Sequence, residues 1–141
     1  MLSEADALAA TGRLAIGKLA DVKTILLVDD EYSIVEVLGH LLEEEGYTVV
    51  TASNGQDALD RATEAKPGLV ITDLMMPLMS GADLIRALKK DPALRRVPVI
   101  LISSAPLAGP RKLGWAELIT KPFDFEELLQ AVRRVFPQGG E

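Results

Sequence analysis

The stretch Thr24-Ile25-Leu26-Leu27-Val28-Asp29-Asp30 runs an uncharged, β-branched and aliphatic segment straight into two carboxylates. A short continuous apolar run of this kind reads as a strand buried on both faces, and the aspartates mark the point where it reaches the surface. Working outward, runs of similar length recur at Tyr47 to Thr51, Leu69 to Thr72, Val97 to Ile102 and Glu117 to Thr120. Most are separated by stretches with helical periodicity. That alternation predicts a parallel sheet of the α/β class.

The intervening helices are legible from two independent signals. In the first, Ile34, Val35, Val37, Leu38, Leu41 and Leu42 fall on one face of a 3.6-residue helix, and Phe125, Leu128, Leu129, Val132 and Val135 repeat the pattern in the last. Ser33 with Glu36, Ser53 with Gln56, Ser80 with Asp83 and Asp124 with Glu127 have the spacing of capping boxes. Gly46 ends the first helix, and Asp91-Pro92 and Val97-Pro98 break the chain after the third. Two regions depart from this regularity. Residues 1–22 are rich in Ala and Leu but interrupted by Gly12 and Gly17, and they are expected to form a mobile or loosely docked extension. From Ser104 to Ala116, Pro106, Gly109, Pro110 and Gly114 leave no room for an uninterrupted crossover helix, so a loop or a single turn is expected.

The chain has 141 residues, 48% hydrophobic and 26% charged, with a formal charge of −6. That suits one globular domain and argues against a disordered chain or a nucleic-acid-binding surface. No apolar run approaches about 18 residues, so no membrane span is expected. The start lacks the pattern of a secretory signal, so a cytoplasmic location is expected. Without cysteine there are no disulfides, thiolate metal sites or cysteine nucleophiles. One histidine, His40, leaves the chemistry to carboxylates, hydroxyls and lysine.

In an open parallel sheet the ligand site lies beyond the carboxyl ends of the strands. There the sequence supplies Asp29 and Asp30, then Asp73, Ser103 and Lys121. Three carboxylates gathered together repel unless a cation sits among them. Magnesium suits such hard oxygen ligands, with a backbone carbonyl near Met75 and a phosphoryl oxygen completing its shell. An anion held between that metal and Lys121, and touched by the Ser103 hydroxyl, has the character of phosphate.

These residues and their order resemble the receiver domain of bacterial response regulators, the CheY-like family. The resemblance rests on ILLVDD at 25–30, ASNGQDAL at 52–59, VITDLMMPLMSG at 70–81, PVILIS at 98–103 and TKPF at 120–123. It covers about Thr24 to Phe136. It implies a flavodoxin-like five-stranded parallel sheet of order 2-1-3-4-5 flanked by helices, here with the fourth crossover helix shortened or absent. The implied domain covers 23–137, between the extension 1–22 and a tail 138–141.

By the same resemblance, Asp73 accepts a phosphoryl group as an acyl phosphate. Asp29 and Asp30 hold Mg2+ together with Asp73 and the Met75 carbonyl, with Asp30 a direct ligand. Ser103 moves toward the phosphoryl group and Lys121 pairs with it, and the Lys121-Pro122 peptide is often cis in relatives. Phosphorylation adds charge and three strong acceptors, shifting the loops after strands four and five between two arrangements that control a protein partner. The donor implied is a sensor histidine kinase or a histidine phosphotransfer protein. The chain is then not an independent enzyme, although a receiver promotes its own phosphorylation and dephosphorylation. After Phe136 only Pro137 to Glu141 follow, and the expectation is either a stand-alone receiver without an output domain or a chain that stops at a linker.

The pattern is broken in places. Leu118 stands where relatives place Tyr or Phe, so no aromatic rotor operates there, and Ser104 stands where relatives prefer Ala or Gly. Trp115 is expected to cover core in the altered segment, His40 to lie at the surface, and Glu43 to Glu45 to form a solvated helix end. Competing readings are weaker. Gly12 to Lys18 has GxxxxGK spacing, but Leu19 replaces the required Ser or Thr and no strand precedes it. An aspartyl phosphatase would want an aspartate at 75, where Met75 stands. The remaining alternative is a receiver-fold module that binds its partner regardless of phosphorylation; the altered crossover and Leu118 favour it, and the intact acidic set opposes it.

Overall fold

The computed structural model describes residues 23–104 and 114–136. The extension 1–22, the tail and most of the irregular crossover (105–113) lie outside the described residues. The elements run β1 (Thr24–Val28), α1 (Tyr32–Glu44), β2 (Thr48–Ala52), α2 (Gly55–Ala65), β3 (Leu69–Asp73), α3 (Gly81–Lys90), β4 (Val99–Ser103), β5 (Glu117–Thr120) and α4 (Phe125–Val135). The five strands form one parallel sheet in the order β2-β1-β3-β4-β5. This is the 2-1-3-4-5 order that the family resemblance implies. None of the described residues between β4 and β5 is helical.

Strand periodicity divides the core in two. Ile25 and Leu27 of β1 point to the face covered by Val35, Leu38 and Leu42 of α1 and by Leu128, Leu129 and Val132 of α4. Leu26 and Val28 point to the other face, against Ala58 and Ala62 of α2 and Leu84, Ile85 and Leu88 of α3. Every residue of β3 and β4 is buried. Full burial of each such Leu or Ile side chain contributes about 1.5–3 kcal/mol, so the central strands form a rigid platform for whatever follows their carboxyl ends. Trp115 is buried in the second cluster and Leu118 packs against it, as expected of core cover.

Helix starts agree with the capping signals in two cases and differ in two. Ser80 accepts from the Asp83 N–H at 3.1 Å, and Asp124 from the Glu127 N–H at 2.8 Å. The cap of α2 is Asn54, one residue after Ser53, accepting from the Asp57 N–H at 2.8 Å. Helix α1 begins at Tyr32, so Ser33 lies inside its first turn, and its N-cap Glu31 makes no side-chain capping bond. The reason lies upstream: Asp29 Oδ1 accepts the Glu31 N–H at 2.9 Å and fixes the turn that launches the helix. Gly46, at φ +100°, follows the C-cap of α1 as predicted. The second strand starts at Thr48 because the Tyr47 N–H is spent on the Leu42 carbonyl of α1 at 3.3 Å, while its ring stacks on Phe136, centroids 5.9 Å apart. The fourth starts at Val99 because the Val97 N–H is spent in a turn on the Leu94 carbonyl.

Candidate phosphoryl and metal site

The carboxyl ends of β1 and β3 are adjacent in the sheet, and this adjacency brings Asp29 and Asp30 to Asp73. Each of the three offers a carboxylate oxygen, and these atoms lie within 4.8 Å of one another. Asp29 and Asp73 are 5% and 7% exposed, whereas Asp30 is open to solvent. Their backbones are held by extensions of the strand ladders. Asp29 N–H donates to the Ala52 carbonyl at 3.2 Å, and Leu74 N–H to the Ile102 carbonyl at 2.8 Å.

Lys121 completes the constellation from the end of β5, two strands from β3. Its Nζ lies 3.4 Å from Asp73 Oδ1, and its backbone N–H donates to the Ser103 carbonyl at 2.8 Å. Ser103, 2% exposed, ends β4 between the two. The Lys121-Pro122 peptide is cis, as the resemblance implies.

Burial pushes the Asp29 carboxyl above its usual range. The Glu31 amide opposes the rise, the Asp73 charge adds to it, Lys121 opposes it and Asp30 adds to it. Burial likewise raises Asp73, opposed first by the Lys121 charge and its hydrogen bond and then by the Leu74 amide. Both acids therefore carry charge at a penalty that a cation would relieve. An all-oxygen set of carboxylates suits a hard divalent ion such as Mg2+. Met75 follows Asp73 by two residues with its side chain exposed.

The loop from β3 to α3 is shaped by features the sequence reading did not single out. A Cβ at Gly81 would collide with the Asp73 carbonyl oxygen, and Gly81 N–H donates to the Leu74 carbonyl at 2.8 Å. Only glycine allows α3 to start that close to the acid. Thr72 Oγ1 donates to the Asp73 carbonyl at 2.9 Å. Leu78 is 94% exposed at φ +71°, a combination no hydropathy pattern would reveal. The structure brings Asp29, Asp30, Asp73 and Lys121 together, with Ser103 at the intervening strand end. His40 is exposed beside Glu44, away from the site. Of the Glu43 to Glu45 run, Glu45 pairs with Arg133 at 3.1 Å and ties α1 to α4.

The response regulator receiver domain pattern matches residues 25–133. Transcriptional regulatory protein YkoG of Bacillus subtilis is 38% identical over 120 residues, 82% of this chain and 52% of the relative. The chain spans about half the length of several relatives it matches, YkoG included. Protein PilG of Pseudomonas aeruginosa is 33% identical over 122 residues, 84% of this chain and 90% of PilG. Among solved structures, response regulator TrrA of Thermotoga maritima, in complex with Mg(2+)-BeF, superposes with TM-score 0.73. It is 33% identical, over 82% of this chain and all of that one (100%).

Proposed function

The chain belongs to the response regulator receiver domain family of two-component signalling, and from that premise we propose that Asp73 is its phosphoacceptor. The carrying observation is the convergence of three carboxylates from two neighbouring strand ends, with the Lys121 ammonium 3.4 Å from Asp73. An Asp73 carboxylate oxygen attacks phosphorus while the bond to the donor's leaving atom breaks, leaving an acyl phosphate on Asp73. Asp29, Asp30, Asp73 and the Met75 carbonyl would hold Mg2+, which when bound offsets the negative charge of the carboxylates and the incoming phosphoryl oxygens. Lys121 pairs with a phosphoryl oxygen, and Ser103 donates its hydroxyl to another.

The modified state offers both residues acceptors that the free carboxylate lacks, so it favours a second arrangement of the loops after β4 and β5. A downstream protein reads that arrangement. The donor proposed is a sensor histidine kinase or histidine phosphotransfer protein, and the receiver promotes its own phosphorylation and dephosphorylation. The domain is taken as 23–137, with no direct role in binding nucleic acid. None of the described helices is long and apolar enough to cross a membrane, and the proposed location is the cytoplasm.

The test is incubation with Mg2+ and acetyl phosphate followed by intact-mass spectrometry, with Asp73→Asn as control. A phosphoryl mass gain that requires Mg2+ and vanishes in Asp73→Asn is expected. No gain from folded protein would favour the phosphorylation-independent binding module.

A further inference from the structure

Ahead of Asp73, β3 carries one polar side chain among aliphatic ones. Thr72 is 0% exposed, and its register partners, Val28 of β1 and Leu101 of β4, both belong to the apolar cluster beneath α2 and α3. Because successive side chains alternate across a strand, Thr72 points into that cluster and away from the Asp73 carboxylate. A valine would fill the same shape without burying a hydroxyl, and a buried hydroxyl costs stability unless it is hydrogen-bonded.

The bond it makes is to the chain leaving the strand. Thr72 Oγ1 lies 2.9 Å from the Asp73 carbonyl oxygen and 3.9 Å from Met76 Sδ. With a single proton it donates to the carbonyl, the stronger acceptor, and keeps the sulfur as a contact. These two points stand on either side of Met75. Between them Leu74 is bonded at both backbone groups, its N–H to the Ile102 carbonyl and its carbonyl to the Gly81 N–H, each at 2.8 Å. Met76 packs against the same apolar cluster, whereas the Met75 side chain is exposed. The backbone at Met75 therefore takes its orientation from its neighbours, and one hydroxyl touches the chain both before and after it.

We propose that Thr72 is a positioning residue for the metal site: its hydroxyl fixes the peptide that follows Asp73, braces Met76, and so sets the direction of the Met75 carbonyl. This rests on the reading in which Asp29, Asp30, Asp73 and the Met75 carbonyl hold Mg2+. The Thr72 side chain faces the core, so it acts only through the backbone that it holds.

Mg2+ demands near-octahedral geometry while Ca2+ accepts a flexible shell, so a misdirected carbonyl penalises Mg2+ more. Isothermal titration calorimetry of the full chain should show Thr72→Val weakening Mg2+ binding about tenfold and Ca2+ binding about twofold or less. Thr72→Ser, which keeps the hydroxyl, should return both affinities to within about twofold of wild type. Thr72→Ala differs from Thr72→Ser by the hydroxyl alone and should behave as Thr72→Val does; this pair carries the comparison if Thr72→Val does not fold. A Thr72 that only packs would shift the urea midpoint in chelator and leave the ratio of Mg2+ to Ca2+ affinity at its wild-type value. That result, or a ratio that Thr72→Ser fails to restore, would overturn the proposal and leave the metal reading standing. Folded wild type that binds no Mg2+, or binds it as tightly after Asp30→Asn, would refute the metal reading and the proposal with it.

Discussion

Lys121 and Asp73 meet across the end of β4: the ammonium comes from the exit of β5, the carboxylate from the exit of β3, and 3.4 Å separates Nζ from Oδ1. This pair shares one negative group between an internal cation and any metal. Removing the ammonium frees Asp73 for the metal and withdraws the charge that lowers its pKa. Lys121→Met is therefore expected to bind Mg2+ about fivefold more tightly, the size of an interaction of roughly 1 kcal/mol. Isothermal titration calorimetry of the two proteins checks it, and unchanged or weaker binding would refute the shared-charge account.

Asp29 and Asp73 both have folded-state pKa values raised above 3.8. The folded protein thus holds these protons more tightly than the unfolded chain. Their contribution favours folding at low pH and is lost as pH rises from about 4 through the folded values. Above that window the ionised acids weaken the metal-free fold. In chelator, Asp73→Asn should melt a few degrees higher than wild type near neutrality, and the difference should shrink toward pH 4. Added Mg2+ should raise wild type by about 2.7 kcal/mol at a hundred times its dissociation constant, and the variant by less. Thermal melts across pH, with and without Mg2+, provide the comparison.

Gly81 sits against the Asp73 carbonyl, where a side chain has no space. Gly81→Ala must push α3 or the acid's loop aside, at a stability loss of about 1–3 kcal/mol. Mg2+ binding should weaken in parallel because the displaced backbone carries Asp73. Urea unfolding with wild-type stability would contradict this.

Leu78 holds φ +71° while nearly all its surface meets water. The left-handed conformation costs a branched or bulky residue roughly 1–2 kcal/mol, and Asn tolerates it better. Leu78→Asn should stabilise the fold by up to about 1 kcal/mol and leave Mg2+ affinity unchanged. A destabilised variant would mean that Leu78 makes a contact outweighing its backbone strain.

Much of this was legible along the chain because it rests on local pattern. The continuous burial of Ile25 to Val28 and the period-3.6 stripes on α1 and α4 are written in single segments, and so are the caps at Ser80 and Asp124. The α1 start was misplaced at Ser33 because its organising bond comes from Asp29, which also serves the acidic pocket. Tyr47 reads as strand in sequence yet lies outside it, because a run of apolar residues does not reveal that its N–H bonds back to Leu42 of α1.

By itself, the sequence determined the parallel α/β alternation, the helix faces and the set of polar residues at the strand ends, because each depends on neighbours within a few positions. Tertiary structure alone decided that Asp29 and Asp73 are buried together so that burial raises both pKa values and the Asp73 charge adds to the rise at Asp29, that Lys121 reaches Asp73 rather than solvent, and that Gly81 must be glycine. Charge interaction and steric exclusion depend on distance in space, and the order in which the strands pack fixes those distances.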